Sequence, residues 1–311
     1  MSNRRSSILL FFACAAAAAA SIVLRSYDDR QKVDVNASLL DSSMEVQRIR
    51  IERRGSPPMV LEKTPVWQLT QPYAGSVDVP VVLKLLDSLM FARVIDAISE
   101  TELLKLGRTR SDYALDDPVV RITVSGVSGS STISIGGPAP AADGVYAAVD
   151  GRSFVFMVPS SVLSAVDLPP ESFRRRSLFL GGPETVSSFE IKKGASSLLV
   201  FSREGDGWTM GGEPASSKKV SKFLTDLTAA NAVSFVWPIG ASNETERASV
   251  VLLSGYGLDP EVAVTVTLKS IDGVSRQVSF GKPAAEGAVY ALVQNGSAVV
   301  TVPASLRDAA A

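Results

Sequence analysis

The sequence predicts an α+β fold of two tandem repeats, each an antiparallel β-meander packed with one main helix, preceded by an N-terminal transmembrane or signal helix. Three observations predict it. Composite features recur through the chain at an offset of 141–145 residues; each recurrence contains one apolar stripe of period 3.6; and each stripe is followed by segments that alternate with period 2. A repeat of this length is domain-sized, so the chain reads as a duplicated domain and not as a short-period solenoid.

Residues 1–25 come first. Arg4 and Arg5 precede an apolar run from Ile8 to Leu24, and Arg25, Asp28, Asp29 and Arg30 end it. Seventeen helical residues span about 25 Å against a hydrocarbon core of about 30 Å, and seven of them are alanine, so the run is a short signal anchor. The alternative is a cleaved signal peptide, because Ala15 to Ala20 supply small residues at every A-x-A cleavage position. Either way the positive end stays inside and the bulk of the chain is translocated, which predicts a membrane-anchored protein with its bulk outside the cytoplasm, or a secreted one after cleavage. Cys14 sits within the run and reads as a buried, unreactive thiol. Residues 26–44, with Asp28, Asp29, Arg30, Lys32, Asn36, Ser38, Ser42 and Ser43, read as a polar tether. Asn36, Asn243 and Asn295 begin N-x-S/T triplets, which matter only in a glycosylating pathway.

The repeats follow at 45–178 and 186–311. Trp67-Gln-Leu69 with Pro72 answers Trp208-Thr-Met210 with Pro214, and Tyr113-Ala-Leu-Asp116 answers Tyr256-Gly-Leu-Asp259. Downstream, Ser134-Ile-Gly136 answers Ser279-Phe-Gly281, Val145-Tyr146 answers Val289-Tyr290, and Val158-Pro159 answers Val302-Pro303. Val46–Glu52 and Ser188–Lys192 open the two repeats as strands, each followed by a hairpin; in the second, Glu204-Gly-Asp-Gly207 forms the turn. A helix comes next. Val82, Leu85, Leu86, Leu89 and Met90 make one stripe; Val220, Phe223, Leu224 and Leu227 make the other, with Asp78 and Ser216 or Ser217 as N-caps. Period-two strands then run through Val120, Ile122 and Val124 in the first repeat and Val262, Val264, Val266 and Leu268 in the second. Further strands at 133–135, 145–149 and 154–158, and at 278–280, 289–293 and 298–302, follow across short polar turns. There is no room for crossover helices between them, which excludes a parallel doubly wound sheet.

Composition narrows the chemistry. Lysine plus arginine number 31 against 32 acidic side chains, with three of the arginines flanking the apolar N-terminus, so the remainder is mildly acidic and no general nucleic-acid binder. The chain has no histidine and one cysteine. That removes Ser-His-Asp and Cys-His catalysis, His or Cys zinc sites and intrachain disulfides. No catalytic, cofactor-binding or metal-ligating residue is predicted, and no cofactor.

The Trp-x-Leu, Tyr-x-Leu-Asp, Ile-Gly, Val-Tyr and Val-Pro series resembles the domain-of-unknown-function family DUF4340, in two tandem copies over roughly residues 45–311. Tyr113, Leu115, Asp116 and Pro118 fit the family's Tyr-Gly-Leu-Asp-x-Pro element with Ala114 in place of glycine; Tyr256 to Asp259 fit it with Pro260 one residue early. The resemblance implies an N-terminally anchored bacterial envelope protein with ABC-transporter-like partners of the gliding-motility type, held to the membrane through residues 8–24. It implies no chemistry.

Several features carry two readings. Tyr113 with Asp116, and Tyr256 with Asp259, are either recognition loops or structural turns in which Asp accepts backbone N–H groups while Tyr and Leu plug the core. Trp67 and Trp208 are either ligand platforms or core. Ser216-Ser-Lys-Lys219 matches the Ser-Lys nucleophile pattern, but without the S-D-N or K-T-G companions it reads as a helix cap with solvated lysines. The Asp116-Asp117 and Asp28-Asp29 pairs read as turn acids, and Gly136-Gly137, Gly181-Gly182 and Gly211-Gly212 as turns without a phosphate-loop pattern. Arg174-Arg175-Arg176 in the connector reads as a docking patch for an acidic partner or lipid head groups, or as a solvated edge, and Arg48, Arg50, Arg53 and Arg54 line the polar side of the first strand. Taken with what the resemblance implies, these features predict a non-enzymatic, membrane-anchored accessory or scaffold module of a transport or motility system; the alternative is a secreted or periplasmic module binding a ligand or glycan.

Overall fold

The computed structural model describes residues 38–140, 143–194, 197–238, 253–293 and 298–310. The apolar N-terminal run, its cleavage positions, Cys14, Asn36, Asn243 and Asn295 lie outside the described residues. Among the described residues no helix is long and apolar enough to cross a membrane.

The strands are β1 (Val46–Arg53), β2 (Met59–Lys63), β3 (Trp67–Gln71), β4 (Gly75–Ser76), β5 (Asp96–Ser99), β6 (Val120–Gly126), β7 (Gly129–Ala139), β8 (Gly144–Val149), β9 (Phe154–Pro159), β10 (Val186–Lys193), β11 (Ser197–Glu204), β12 (Gly207–Met210), β13 (Glu213–Ala215), β14 (Ser234–Pro238), β15 (Val264–Ser270), β16 (Ser275–Pro283), β17 (Ala288–Val293) and β18 (Ala298–Pro303). The helices include α1 (Val79–Met90), α2 (Glu100–Lys105), α3 (Ser160–Val166), α4 (Ser217–Thr228) and α5 (Ala304–Ala310). The strands form two antiparallel sheets of nine, ordered β4-β3-β2-β1-β6-β7-β8-β9-β5 and β13-β12-β11-β10-β15-β16-β17-β18-β14. The fold is α+β, and the two sheets share one strand order.

By packing, the chain divides into one unit of residues 1–45 with 85–167 and a second of 46–84 with 168–311. In the first unit, Leu103, Tyr113, Leu115, Ala148 and Val155 form a buried cluster, with Ile98 and Tyr146 against it. Leu39 and Leu40 are fully buried, and the Leu40 N–H donates to the Leu89 carbonyl. Arg152 Nη1 donates to the Ser38 carbonyl at 2.6 Å. The segment from Ser38, read from composition as the end of a polar tether, is therefore built into the unit: two adjacent leucines outweigh the surrounding serines once there is a surface to bury them. α2 begins with a reciprocal cap, Ser99 N–H donating to Glu102 Oε2 at 2.8 Å and Glu102 N–H to Ser99 Oγ at 3.3 Å.

In the second unit the core is built on four aromatic rings. Phe189 of β10 stacks on Phe201 of β11 at 4.4 Å and meets Trp208 of β12 at 5.5 Å and Phe223 of α4 at 5.6 Å. Val220, Leu224 and Leu227 of α4 and Leu306 of α5 close the cluster. The stripe expected at Val220, Phe223, Leu224 and Leu227 is thus the buried face of a real helix, worth about 1.5–3 kcal/mol for each large side chain removed from water. Val82, Leu85, Leu86 and Leu89 of α1 are buried likewise, whereas Leu83 on the other face is exposed.

Four local expectations are corrected. Val262 is not in a strand; it is 70% exposed in the turn before β15, because the N–H groups of Val262 and Ala263 both bond back to the Asp259 carbonyl. Ser216 occupies the N-cap of α4, but its hydroxyl makes no capping bond. The meanders are interrupted: β5 and β14, residues preceding the second half of each sheet in sequence, pair with the last strands β9 and β18. Short helices α2, α3 and α5, absent from the periodicity, follow directly on β5, β9 and β18. None is long enough for a 3.6-residue stripe to stand out.

Candidate functional site

The Tyr-x-Leu-Asp elements come together with the Ile-Gly and Val-Tyr elements in each sheet. Tyr113 ends a 3₁₀ turn, Arg110–Tyr113, and is buried; Ala114 after it is left-handed at φ 54°, the conformation that Gly257 takes at φ 68°. The Tyr113 ring meets Tyr146 of β8 edge-on at 4.6 Å, and Tyr256 meets Tyr290 of β17 at 4.7 Å. The backbone of each loop descends onto the strand at a glycine. A Cβ on Gly136 would lie 2.1 Å from the Tyr113 carbonyl oxygen, and one on Gly281 would lie 2.2 Å from that of Tyr256. Both glycines sit where the strand pairing shifts register, between Ile135 and Pro138 and between Phe280 and Pro283. In the second sheet the Lys282 N–H freed there donates to the Tyr256 carbonyl at 2.9 Å. Tyr113 and Tyr256 thus hold each loop to its sheet by main-chain approach and ring contact.

The acids behave differently. Asp116 is exposed and Asp259 half-buried, and each borders a hollow on the sheet below its loop. The first hollow, about 430 Å³, is lined by Arg110, Arg121, Thr123, Ser134 and Asp150. The second, about 470 Å³, has the more apolar set Leu198, Leu253, Leu258 and Leu292 with Glu190 and Lys192. Ser216 and Lys219 are both exposed. Trp67 and Trp208 are buried, as the core reading required, with Arg203 over the Trp208 ring at 5.2 Å. Among the described residues no group of three or more His, Cys, Asp or Glu side chains is gathered.

The connector arginines divide into roles that the sequence did not separate. Arg174 is not part of an exposed patch: it is 5% exposed, its guanidinium 4.9 Å from the Tyr73 ring centroid and 4.1 Å from that of Phe235. Burial lowers its pKa from the usual arginine value, and the neighbouring Tyr73 and Glu171 oppose that. The Tyr73 hydroxyl donates to Glu171 Oε1 at 2.5 Å; burial, then this bond, raises the phenol well above its ordinary value. The delocalised guanidinium can fill a sandwich between two rings because it is weakly hydrated.

Arg175 and Arg176 face a groove of about 650 Å³ within the second unit. The chain holding them is pinned from both sides. Arg174 bridges to Val77 and Ser177 to Asn231, Arg175 N–H donates to the Ser76 carbonyl at 3.0 Å, and Ala232 N–H to the Arg176 carbonyl at 2.8 Å. Arg276 of β16 reaches the same groove, as do Trp67, Asp78 and Asn231. Arg175 is half-buried, and its pKa is lowered first by burial and then by the charge of Arg276, with Asp78 opposing. Arg176 Nη1 donates to the Val233 carbonyl at 3.0 Å, which fixes its fork in place. Three guanidiniums are therefore held around one cavity with one carboxylate among its lining residues. Such an arrangement carries a net positive field in a partly desolvated setting and suits anions. Arg276 lies a hundred residues from the connector; only the strand register brings it there.

The fold and groove define an α+β module of two nine-stranded sheets with a cationic recess. The family profile of DUF4340, a domain of unknown function, matches residues 67–252, and the chain belongs to that family. The matched region begins at Trp67 in β3 and runs past β14. No curated protein and no solved structure matches the chain.

Proposed function

We propose that this protein is a non-enzymatic adaptor of the bacterial envelope, anchored through residues 8–24, which carries two tandem DUF4340 copies and binds an acidic partner protein of a transport or motility assembly. The observation that carries this reading is the arginine groove: a rigidly held recess whose positive charges exceed its negative ones favours an anionic partner over a neutral one. The duplication is supported by the common strand order of the two sheets and by the corresponding register shifts at Gly136 and Gly281. The test is a mild-detergent pull-down of the full chain from its native membranes after brief in-cell crosslinking, with a chain lacking residues 1–25 as control. Recovery of defined envelope subunits, lost in the control, is the expected result. Recovery of no protein, with a mature chain starting near Ala20, overturns it.

A second reading, a secreted or periplasmic module for a small ligand or glycan, draws on the hollows of about 430 and 470 Å³ at matching places in the two sheets. It predicts a ligand-dependent rise in melting temperature of the chain without its anchor.

A further inference from the structure

The walls of the arginine groove specify its occupant further. The charged residues lining it are Arg175, Arg176, Arg276 and Asp78. Its rim carries Val66 at 60% exposure, Leu180 at 48% and Val79 at 39%, large apolar side chains left in water beside the guanidiniums. A bare inorganic anion has no use for that rim. The phosphates of an anionic membrane surface accept hydrogen bonds but donate none, so they leave the Asp78 carboxylate unmatched, whereas a peptide backbone brings N–H donors. An extended peptide uses every part: its carboxylates meet the guanidiniums, its backbone N–H groups meet the Asp78 carboxylate and the Asn231 carbonyl oxygen, and its apolar side chains cover the rim. Asn231, an exposed residue of the lining, already uses its Nδ2 to donate to the Ala229 carbonyl at 3.2 Å, and its amide oxygen is the group that can accept. A volume of about 650 Å³ lies in the range of sites that enclose a small ligand or a few residues of chain.

We propose that the groove formed by Arg175, Arg176, Arg276, Asp78 and Trp67 binds an extended acidic segment of a partner protein, in which Asp or Glu residues alternate with aliphatic ones. This rests on the partner-binding reading above and adds to it the site and the chemistry of the bound segment. Carboxylates on Arg175 and Arg276 relieve the repulsion between those two cations, so binding the segment is coupled to the charge of both.

The test uses the full chain in its native membranes, with photo-crosslinking p-benzoylphenylalanine placed at Val66, at Leu180 and, as a comparison site in the other unit that does not line the groove, at Leu104. The expected result is a protein adduct at Val66 and Leu180 whose crosslinked peptide carries at least two alternating Asp or Glu residues. That adduct should fall about tenfold in Arg276→Gln and in Arg175→Gln, each checked for unchanged melting temperature. In parallel, a fluorescein-labelled octapeptide of alternating glutamate and leucine should bind the purified chain. It should bind about tenfold more weakly to Arg276→Gln and show no loss with Arg48→Ala, an exposed arginine outside the groove. Should Arg276→Gln unfold, Arg276→Met, which keeps the apolar stem but not the charge, must show the same weakening in the folded protein. Adducts at Leu104 alone overturn the groove assignment while leaving partner binding standing. Adducts at no position overturn both. Lipid adducts at Val66 and Leu180, or equal binding of the octapeptide to wild type and both glutamine variants, overturn the peptide proposal.

Discussion

Replacing Gly136 by alanine puts a methyl group 2.1 Å from the Tyr113 carbonyl oxygen, a separation that real Cβ atoms do not show below 3.0 Å. Either the 3₁₀ turn or β7 has to retreat by about 1 Å, a shift that ordinary overpacking costs put at about 1–3 kcal/mol. The turn also carries the Tyr113 ring out of its edge-on contact with Tyr146 at 4.6 Å, an arrangement worth about 0.5–1.5 kcal/mol beyond burial. The sum is about 3 kcal/mol, or roughly 6–12 °C in melting temperature for a structure of this size. The next residue supplies the control: a Cβ on Gly137 would sit 3.8 Å from the Ala114 Cβ, an ordinary contact, so Gly137→Ala should change stability by less than about 0.5 kcal/mol. Thermal unfolding followed by near-ultraviolet circular dichroism reports both the stability and the tyrosine pair. Equal melting temperatures for the two alanine variants would refute the argument that Gly136 is required for main-chain approach. Gly281→Ala, with 2.2 Å to the Tyr256 carbonyl, should repeat the Gly136 result in the second sheet.

Three further outcomes follow from the same structure. Arg174→Ala removes a cation held between two rings and should destabilise by about 1–3 kcal/mol in chemical denaturation, whereas Arg176→Ala, at an exposed position, should stay within about 0.5 kcal/mol. Because the folded-state pKa of Tyr73 is raised, its contribution to stability is fully present below the unfolded phenol value near 10 and is lost only as pH rises beyond it; absorbance at 295 nm should show a late-ionising phenol that vanishes in Tyr73→Phe. Ser99→Ala breaks the cap of α2 and should cost about 1 kcal/mol by thermal melting at neutral pH. The Glu102 carboxylate is held below its usual 4.5 by the Ser99 N–H and then by its hydroxyl, so its capping contribution is present above 4.5 and fades as pH falls further, narrowing the gap between wild type and Ser99→Ala in acid.

The elements most legible in the sequence are those with local periodicity or tight local geometry. The stripe from Val220 to Leu227 makes a helix because residues three and four apart share a face, and the alternation at Val120, Ile122 and Val124 makes a strand because successive side chains point oppositely. Tyr-x-Leu-Asp and Ile-Gly could be recognised as recurring motifs, but not that one closes on the other. That meeting depends on a register shift in β7 and β16, and register is set by pairing between segments distant in the chain. The edge strands β5 and β14 have no signature in the sequence for the same reason. Asp96–Ser99 has no strand pattern of its own and is ordered by the free edge of β9.

For the candidate site, the sequence by itself determined that charge is concentrated at Arg174, Arg175 and Arg176, and that histidine, thiol pairs and the chemistry they carry are missing. Adjacent residues in an extended connector point in alternating directions, so three like residues in a row were bound to have unlike surroundings. Only the tertiary structure decided which: Arg174 enters an aromatic sandwich with Tyr73 and Phe235, while Arg175 and Arg176 meet Arg276, Asp78 and Trp67 around a groove. Desolvation and charge repulsion act through space, and the separations along the chain, from residue 67 to residue 276, carry no trace of them until the sheets have formed.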